Sequence, residues 1–305
     1  MIPQPARTLR HSLACAEPFA WQPLFRALAA HAVPGLERAE YNGDGGAEVE
    51  RLVPAPSGPA LVRVRFGAPG AVEVELSLAP ETPAEAQAQE EAAVLALVRR
   101  WLDLDADPAV IDGFLSGFEL LAPLVAAVPG LRVPGSVNGF ETAVHTVLGQ
   151  QVSLAAARTF GSRLAAAFSG PERDGLRVFP SPVQLAAVPA EDLQAAVGLT
   201  HARARTVAAL AKASASGLVL GAGFDPVATR AALLALPGIG PWTADYLAVR
   251  VFGDRDAYPA DDLVLKRALG VGTGRAAAAL SEPWRPWRAY ALFHLWTAAA
   301  YGSGR

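Results

Sequence analysis

Apolar and polar residues alternate strictly in two short stretches near the start of the chain, Ala60-Leu-Val-Arg-Val-Arg-Phe66 and Val72-Glu-Val-Glu-Leu-Ser-Leu78. A period of two turns one side of each stretch to a core and the other to water, which predicts two half-buried strands. Gly67-Ala-Pro-Gly70 between them has hairpin length and turn chemistry, and Trp21 to Ala32 carries the apolar spacing of a helix packed on the sheet. Residues 1–82 are therefore expected to form a small α+β domain.

After Pro83 the period changes to that of helices. Segments are predicted over Glu85 to Leu102, Pro108 to Leu115, Gly139 to Ser169, Ser181 to Val188, Ala190 to Val197 and His201 to Ser214, with breaks at Pro129-Gly130, Pro134-Gly135, Gly170-Pro171 and Gly217 to Gly223. Residues 83–305 read as all-α and joined to the first domain without a flexible linker.

Composition narrows the classes. The 305 residues are 52% hydrophobic and 18% charged, as expected of a helix-rich globular protein. No apolar run reaches the roughly 18 residues that span a bilayer. The N-terminal Met1 to Ala16, with Arg7, Arg10 and His11, lacks the continuous apolar stretch of an export signal, so a cytoplasmic location is expected. Cys15 is the only cysteine, which excludes an intramolecular disulfide and any thiolate cluster. The net charge of −3 is unevenly spread: eleven acidic and four basic residues fall between Glu37 and Glu91, whereas Leu263 to Arg305 has six basic residues and Glu282 as its one acid. The acidic half is expected to face away from any polyanion.

The most informative stretch is Leu236-Pro-Gly-Ile-Gly-Pro-Trp-Thr-Ala-Asp-Tyr246, set between helical runs at Pro226 to Ala235 and Pro241 to Phe252. Gly238 and Gly240 are expected to adopt backbone angles closed to other residues and to let a phosphate approach the amides directly. Pro241 suits a first helical turn, whose unpaired N–H groups and dipole favour an anion without requiring lysine. A plain turn between packed helices would explain this stretch alone. About twenty residues on, Tyr258-Pro-Ala-Asp-Asp-Leu-Val-Leu-Lys-Arg-Ala-Leu269 opens a helix with two adjacent acids. Capping, worth about 1 kcal/mol, accounts for one of them and not for the order of hairpin, proline turn and acid pair.

That order, L-P-G-I-G-x-W-T-A-x-Y, then P-x-D-D-L-x-L, then P-W-R-x-Y-A, resembles the helix-hairpin-helix glycosylases of the bacterial 3-methyladenine DNA glycosylase II (AlkA-like) type. The likeness extends through Val133-Pro-Gly-Ser-Val-Asn-Gly-Phe140 and Leu148-Gly-Gln-Gln-Val-Ser153 and covers almost the whole chain. It implies a mostly α fold of two helical subdomains with a small N-terminal α+β antiparallel-sheet domain, the helix-hairpin-helix falling at about 227–252. It also implies a monofunctional DNA glycosylase that flips alkylated purines out of double-stranded DNA and hydrolyses their N-glycosidic bond.

By the same resemblance, the D-x-x-[LI]-[KR] element places the catalytic carboxylate at Asp262, while an alignment on Pro259 would give the role to Asp261. Trp242, Tyr246 and Trp287 are implied as base-binding aromatics, with Arg288 and Tyr290 supporting Trp287. Gly238, Gly240 and Thr243 are implied at the DNA backbone, and Gln151 as the side chain filling the gap left by the flipped base. The carbonyls of Leu234, Leu236 and Ile239 become candidates for a monovalent cation, Na⁺ or K⁺; no cofactor is required. Lyase-active relatives carry a lysine where this chain has Trp242, so no strand cleavage is expected. Trp101, Trp284 and Trp296 are assigned to the core, and His145, His201 and His294 to structural roles. One hairpin and one pocket require only a monomer. Two other readings stay open: a glycosylase for deaminated or oxidised bases, and a DNA-binding module without turnover.

Overall fold

In the computed structural model, which describes residues 8–170, 172–221 and 223–300, the alternating stretches are two of the three inner strands of a five-stranded antiparallel sheet. Arg7, Pro171 and Arg305, named above, lie outside the described residues. The strands are β1 (Thr8–Ala14), β2 (Glu37–Tyr41), β3 (Ala47–Val53), β4 (Ala60–Phe66) and β5 (Ala71–Ser77), in the spatial order β1-β5-β4-β3-β2. Val49, Val64 and Val74 lie opposite one another across β3, β4 and β5. Together with Phe25 on α1 (Trp21–His31) they belong to the sheet's core. The predicted fold class, mostly helical with a small antiparallel sheet at the N-terminal end, is the fold observed.

The remaining helices are α2 (Gln87–Trp101), α3 (Pro108–Leu115), α4 (Ala122–Ala127), α5 (Gly139–Leu148), α6 (Leu154–Phe168), α7 (Pro182–Ala186), α8 (Ala190–Val197), α9 (His201–Ala215), α10 (Pro226–Leu234), α11 (Pro241–Arg250), α12 (Leu263–Ala268), α13 (Gly274–Ser281) and α14 (Arg288–Ala300). Side-chain caps set many of their starts: Asn138 accepts from the Phe140 and Glu141 amides, Thr200 from Arg203, and Ser181 forms a capping box with Gln184. The stretch Gly139 to Ser169, expected as one helix, is two. Ser153 caps α6 through the Ala156 amide, and Gln151 turns the chain with φ of +54°.

Three apolar cores result. The sheet core takes in Val94, Val98 and Trp101 of α2, so the boundary drawn at residue 82 separates this helix from the core it completes. A middle core gathers α5, α6, α8, α9 and α11 around Val144, Leu164, Leu210 and Leu247, and a third joins α3, α4 and α14 around Ile111, Leu121 and Tyr290. Among the described residues no helix is long and apolar enough to cross a membrane.

Of the three strands missed by alternation, β3 has a specific cause. In β3 the inward series Ala47, Val49, Arg51, Val53 contains an arginine, which breaks the apolar pattern. Arg51 is buried and held by Glu37 on β2 at 3.0 Å and by both oxygens of Glu141 on α5 at 2.8 and 2.9 Å. Part of the acidity of this region is paired at the sheet surface, where Arg38, Arg63 and Arg65 meet Glu48, Glu50 and Glu75.

Burial holds the Glu37 carboxyl above its usual range, opposed chiefly by the Arg51 charge. Arg51→Ala would leave two buried carboxylates uncompensated and should cost about 3–5 kcal/mol in urea unfolding. His294, buried beside Phe293 and Leu295 of the third core with no hydrogen-bond partner on either ring nitrogen among the described residues, is pushed by burial from 6.5 down to about 4. The unfolded chain therefore takes up this proton first as pH falls, and stability is lost between about pH 6.5 and about pH 4. His294→Leu should remove on the order of 2–3 kcal/mol of that loss, read from unfolding curves across this pH range.

Candidate active site and nucleic-acid interface

α10 begins under an Asp225 cap and ends at a tight turn, after which Pro241 starts α11. Gly238 in that turn has φ of +79°, and a Cβ there would lie 2.2 Å from Thr206 Oγ1 on α9. Its glycine is required by conformation and by packing. Gly240 differs from expectation. Its φ of −103° is ordinary, and a Cβ would meet nothing within 4 Å. What glycine provides at 240 is open space over the first turn of α11, whose amides have no side-chain cap.

The other hairpin assignments divide. Thr243 is only 2% exposed and its hydroxyl is engaged by Gln150, so the side chain supports the hairpin from within rather than facing DNA. Leu236 already accepts from the Ile239 amide at 3.2 Å, yet a carbonyl has a second lone pair, so this donor set remains compatible with an ion. Among the described residues no cluster of three His, Cys, Asp or Glu side chains could hold a metal. Gln151 is exposed at the tip of the turn between α5 and α6.

Between the three cores lies a cavity of about 430 Å³. Asp262 reaches it from the N-cap of α12, where its Oδ1 accepts from the Leu265 amide at 2.8 Å. Two indoles complete its grip: Trp296 Nε1 donates to Oδ1 at 3.0 Å and Trp242 Nε1 to Oδ2 at 3.1 Å. The adjacent Asp261 points elsewhere. Its side chain is 69% exposed, 3.9 Å from Lys266 Nζ and packed over Gly274 at the start of α13. Of the two acids, the cavity contains Asp262.

Trp242 and Tyr246, four apart on α11, stack with centroids 5.3 Å apart and planes inclined by 16°. Trp296 adds a third ring 6.1 Å from Tyr246, and Phe293 a fourth. This corrects two assignments. Trp296, expected in the core, lines the cavity. Trp287 does not: it packs edge-on to Tyr290 at 5.7 Å, under the Arg255 guanidinium, in the third core. Arg288 binds Asp256, and Tyr290 donates to Asp103 at 2.7 Å, so both brace the scaffold away from the site. Phe293 and Trp296, three apart on α14, share one helix face, a spacing that could have identified the second indole.

Several cavity residues went unread in the sequence. Arg250 donates to the Tyr246 hydroxyl at 2.8 Å and to the Pro134 carbonyl at 2.7 Å, with its guanidinium 5.7 Å from the Tyr246 ring. His31 is driven from 6.5 to about 4, first by burial and then by the charge of Arg250, which keeps it neutral at pH 7. His145, read as structural, also lines the cavity, and burial lowers its pKa as well. Glu37, Arg51 and Trp101 form the wall on the sheet side. The chain has two lysines, Lys212 and Lys266, and neither lines the cavity.

Comparison with known proteins places these features in a family. Residues 10–138 match the family described as AlkA N-terminal domain, and residues 144–271 match the HhH-GPD superfamily base excision DNA repair protein. A protein of Mycobacterium tuberculosis named probable bifunctional transcriptional activator/DNA repair enzyme AlkA is 41% identical over 301 residues, which cover 96% of this chain and 57% of that protein. The chain thus spans little more than half the length of that relative. DNA-3-methyladenine glycosylase 2 of Escherichia coli is 36% identical over 206 residues, 66% of this chain and 70% of that one. Among solved structures, the 3-methyladenine DNA-glycosylase from Archaeoglobus fulgidus shares the fold with a TM-score of 0.79 at 20% identity, over 97% of this chain and 99% of that one.

Substituting Gly238 by alanine should displace the hairpin from Thr206, lowering stability by roughly 1–3 kcal/mol through strain and overpacking. Gly240→Ala, with open space for the added methyl, should leave stability within about 0.5 kcal/mol of wild type in the same urea unfolding measurement.

Proposed function

The chain belongs to the HhH-GPD superfamily of base excision DNA repair proteins, and from that membership and its cavity we propose that it is a monofunctional DNA glycosylase for alkylated purines of the 3-methyladenine and 7-methylguanine type. The observation that carries the proposal is one carboxylate, Asp262, fixed by two indole N–H groups at the wall of an aromatic cavity. Its partner is double-stranded DNA containing such bases, bound by a monomer, with a monovalent cation held by the carbonyls of Leu234, Leu236 and Ile239.

Cleavage of the N-glycosidic bond leaves positive charge on the sugar as the base departs with the bonding electrons. A carboxylate near C1′ stabilises that charge, and it can orient the water that adds to C1′ and accept the proton the water releases. Trp242, Trp296 and the Leu265 amide hold Asp262 in one orientation, so little reorganisation is needed in the transition state. A base already carrying an alkyl group and a positive charge leaves as a neutral molecule, which reduces the need for a general acid. Aromatic faces attract a cationic base by about 0.5–2 kcal/mol, and a damaged base is less costly to unstack.

With no lysine at the cavity, no Schiff base with the sugar is expected. The hairpin amides would hold a phosphate, while Gln151 would occupy the space of the extruded base. A second reading has its own observation. Arg250 brings a positive donor into the cavity, which favours a neutral base with an acceptor edge, such as the 6-oxo group of hypoxanthine.

Asp262→Asn should lower base release from duplexes containing 7-methylguanine by about 10²–10³ in single-turnover assays while retaining DNA affinity. Undiminished release by this variant would reject the catalytic assignment, and a wild type that binds without releasing base would mark a binding module. Trp296→Phe, which keeps a ring and removes one donor to Asp262, should slow release about tenfold, the equivalent of one charge-assisted hydrogen bond.

A further inference from the structure

The mouth of the cavity has two lips from distant parts of the chain. One is the turn after α5, where Gly149, Val152 and Leu154 line the cavity and Gln151 stands at the tip. The other is the start of α11, with Trp242 and Tyr246. Gln150 joins them. Its side-chain nitrogen donates to the Gly238 carbonyl at 3.0 Å and to Thr243 Oγ1 at 3.2 Å, which engages both amide protons on the hairpin.

Helix α9 seats both lips from below. Arg203 donates to the backbone carbonyl of Gln150 at 2.5 Å, and its guanidinium lies 5.7 Å from the Phe160 ring of α6. One turn further along α9, Thr206 occupies the space beneath Gly238. The turn, the hairpin and α9 therefore close a ring of contacts in which the Gln150 side chain is a hydrogen-bonded link between the two lips, above the packing of α5 on α11 in the middle core.

We propose that Gln150 is a positioning residue for base extrusion, holding the Gln151 tip in fixed register with the amides that open α11. The proposal rests on the glycosylase reading above. Extrusion requires one part of the protein to hold the sugar-phosphate backbone while another presses into the stack, and the two act together only if the distance between them is fixed. If the lips move independently, a phosphate can be gripped without the tip entering the gap, and the extruded state is populated less often. Gln150 acts through Gln151 and the hairpin and has no part in bond cleavage.

The experiment uses Gln150→Glu, which preserves length and replaces both donors with acceptors, and Gln150→Ala as a second variant without new charge. Single-turnover release of 7-methylguanine is measured from a fully paired duplex and from the same sequence with the lesion in an unpaired bulge, where extrusion has largely been done. Both variants should slow release from the paired duplex about tenfold and from the bulge by less than about twofold, as expected when a hydrogen-bonded link is lost outside the chemical step. Equal slowing on both substrates, or no slowing on the paired duplex, would overturn the role of Gln150 while leaving the glycosylase reading intact. A wild type that releases base from neither substrate would instead overturn that reading, and this proposal with it.

Discussion

The site depends on the immobilisation of a single carboxylate. Asp262 is a helix cap by position, and the Leu265 amide alone would fix one oxygen. The two indole donors arrive from α11, which packs into the middle core through Leu247 and into the third through Val249, and from α14 of the third core. The carboxylate thereby acts as a hydrogen-bonded joint between α11 and α14. Its orientation cannot change without moving Trp242 or Trp296, and each of those rings is packed against a further aromatic. A group that must face developing charge is in this way oriented before substrate arrives, and the three donors remain available to it as the reaction proceeds.

The sheet domain contributes to the same site in a less direct way. Arg51, on an inward position of β3, reaches across to Glu141 on α5, and the resulting buried pair forms part of the cavity wall together with Trp101 and Glu37. Burying these charges is costly, and their value lies in geometry: Arg51 Nη2 contacts both Glu141 oxygens while Nη1 donates to Glu37, which ties β2 and β3 to α5. The adjoining His31 stays neutral under the influence of burial and Arg250, so this end of the cavity gains no further positive charge at pH 7.

Local patterns made the hairpin, strands β4 and β5 and most helices legible in the sequence, because each depends on residues within one or two turns of one another. The acid at 262 was legible because the succession of motifs fixed its distance from the hairpin. Features created by contact between remote segments were not. Trp296 and Trp287 lie on or beside the same C-terminal helix, and only the packing of α14 decides which ring meets the cavity. Arg51 hid a strand by placing charge where the pattern called for an apolar residue. Gln150, next to the more conspicuous Gln151, had no local signal at all, since its partners are 88 and 93 positions away.

The left-handed backbone at Gln151 carries a consequence for variation. At φ of +54° a side chain branched at Cβ collides with its own main chain, so valine, isoleucine and threonine are excluded whatever their fit to a DNA gap. Unbranched chains and asparagine remain admissible. The turn therefore sets the repertoire of probes that this surface could be engineered to present, and does so before any contact with nucleic acid is considered.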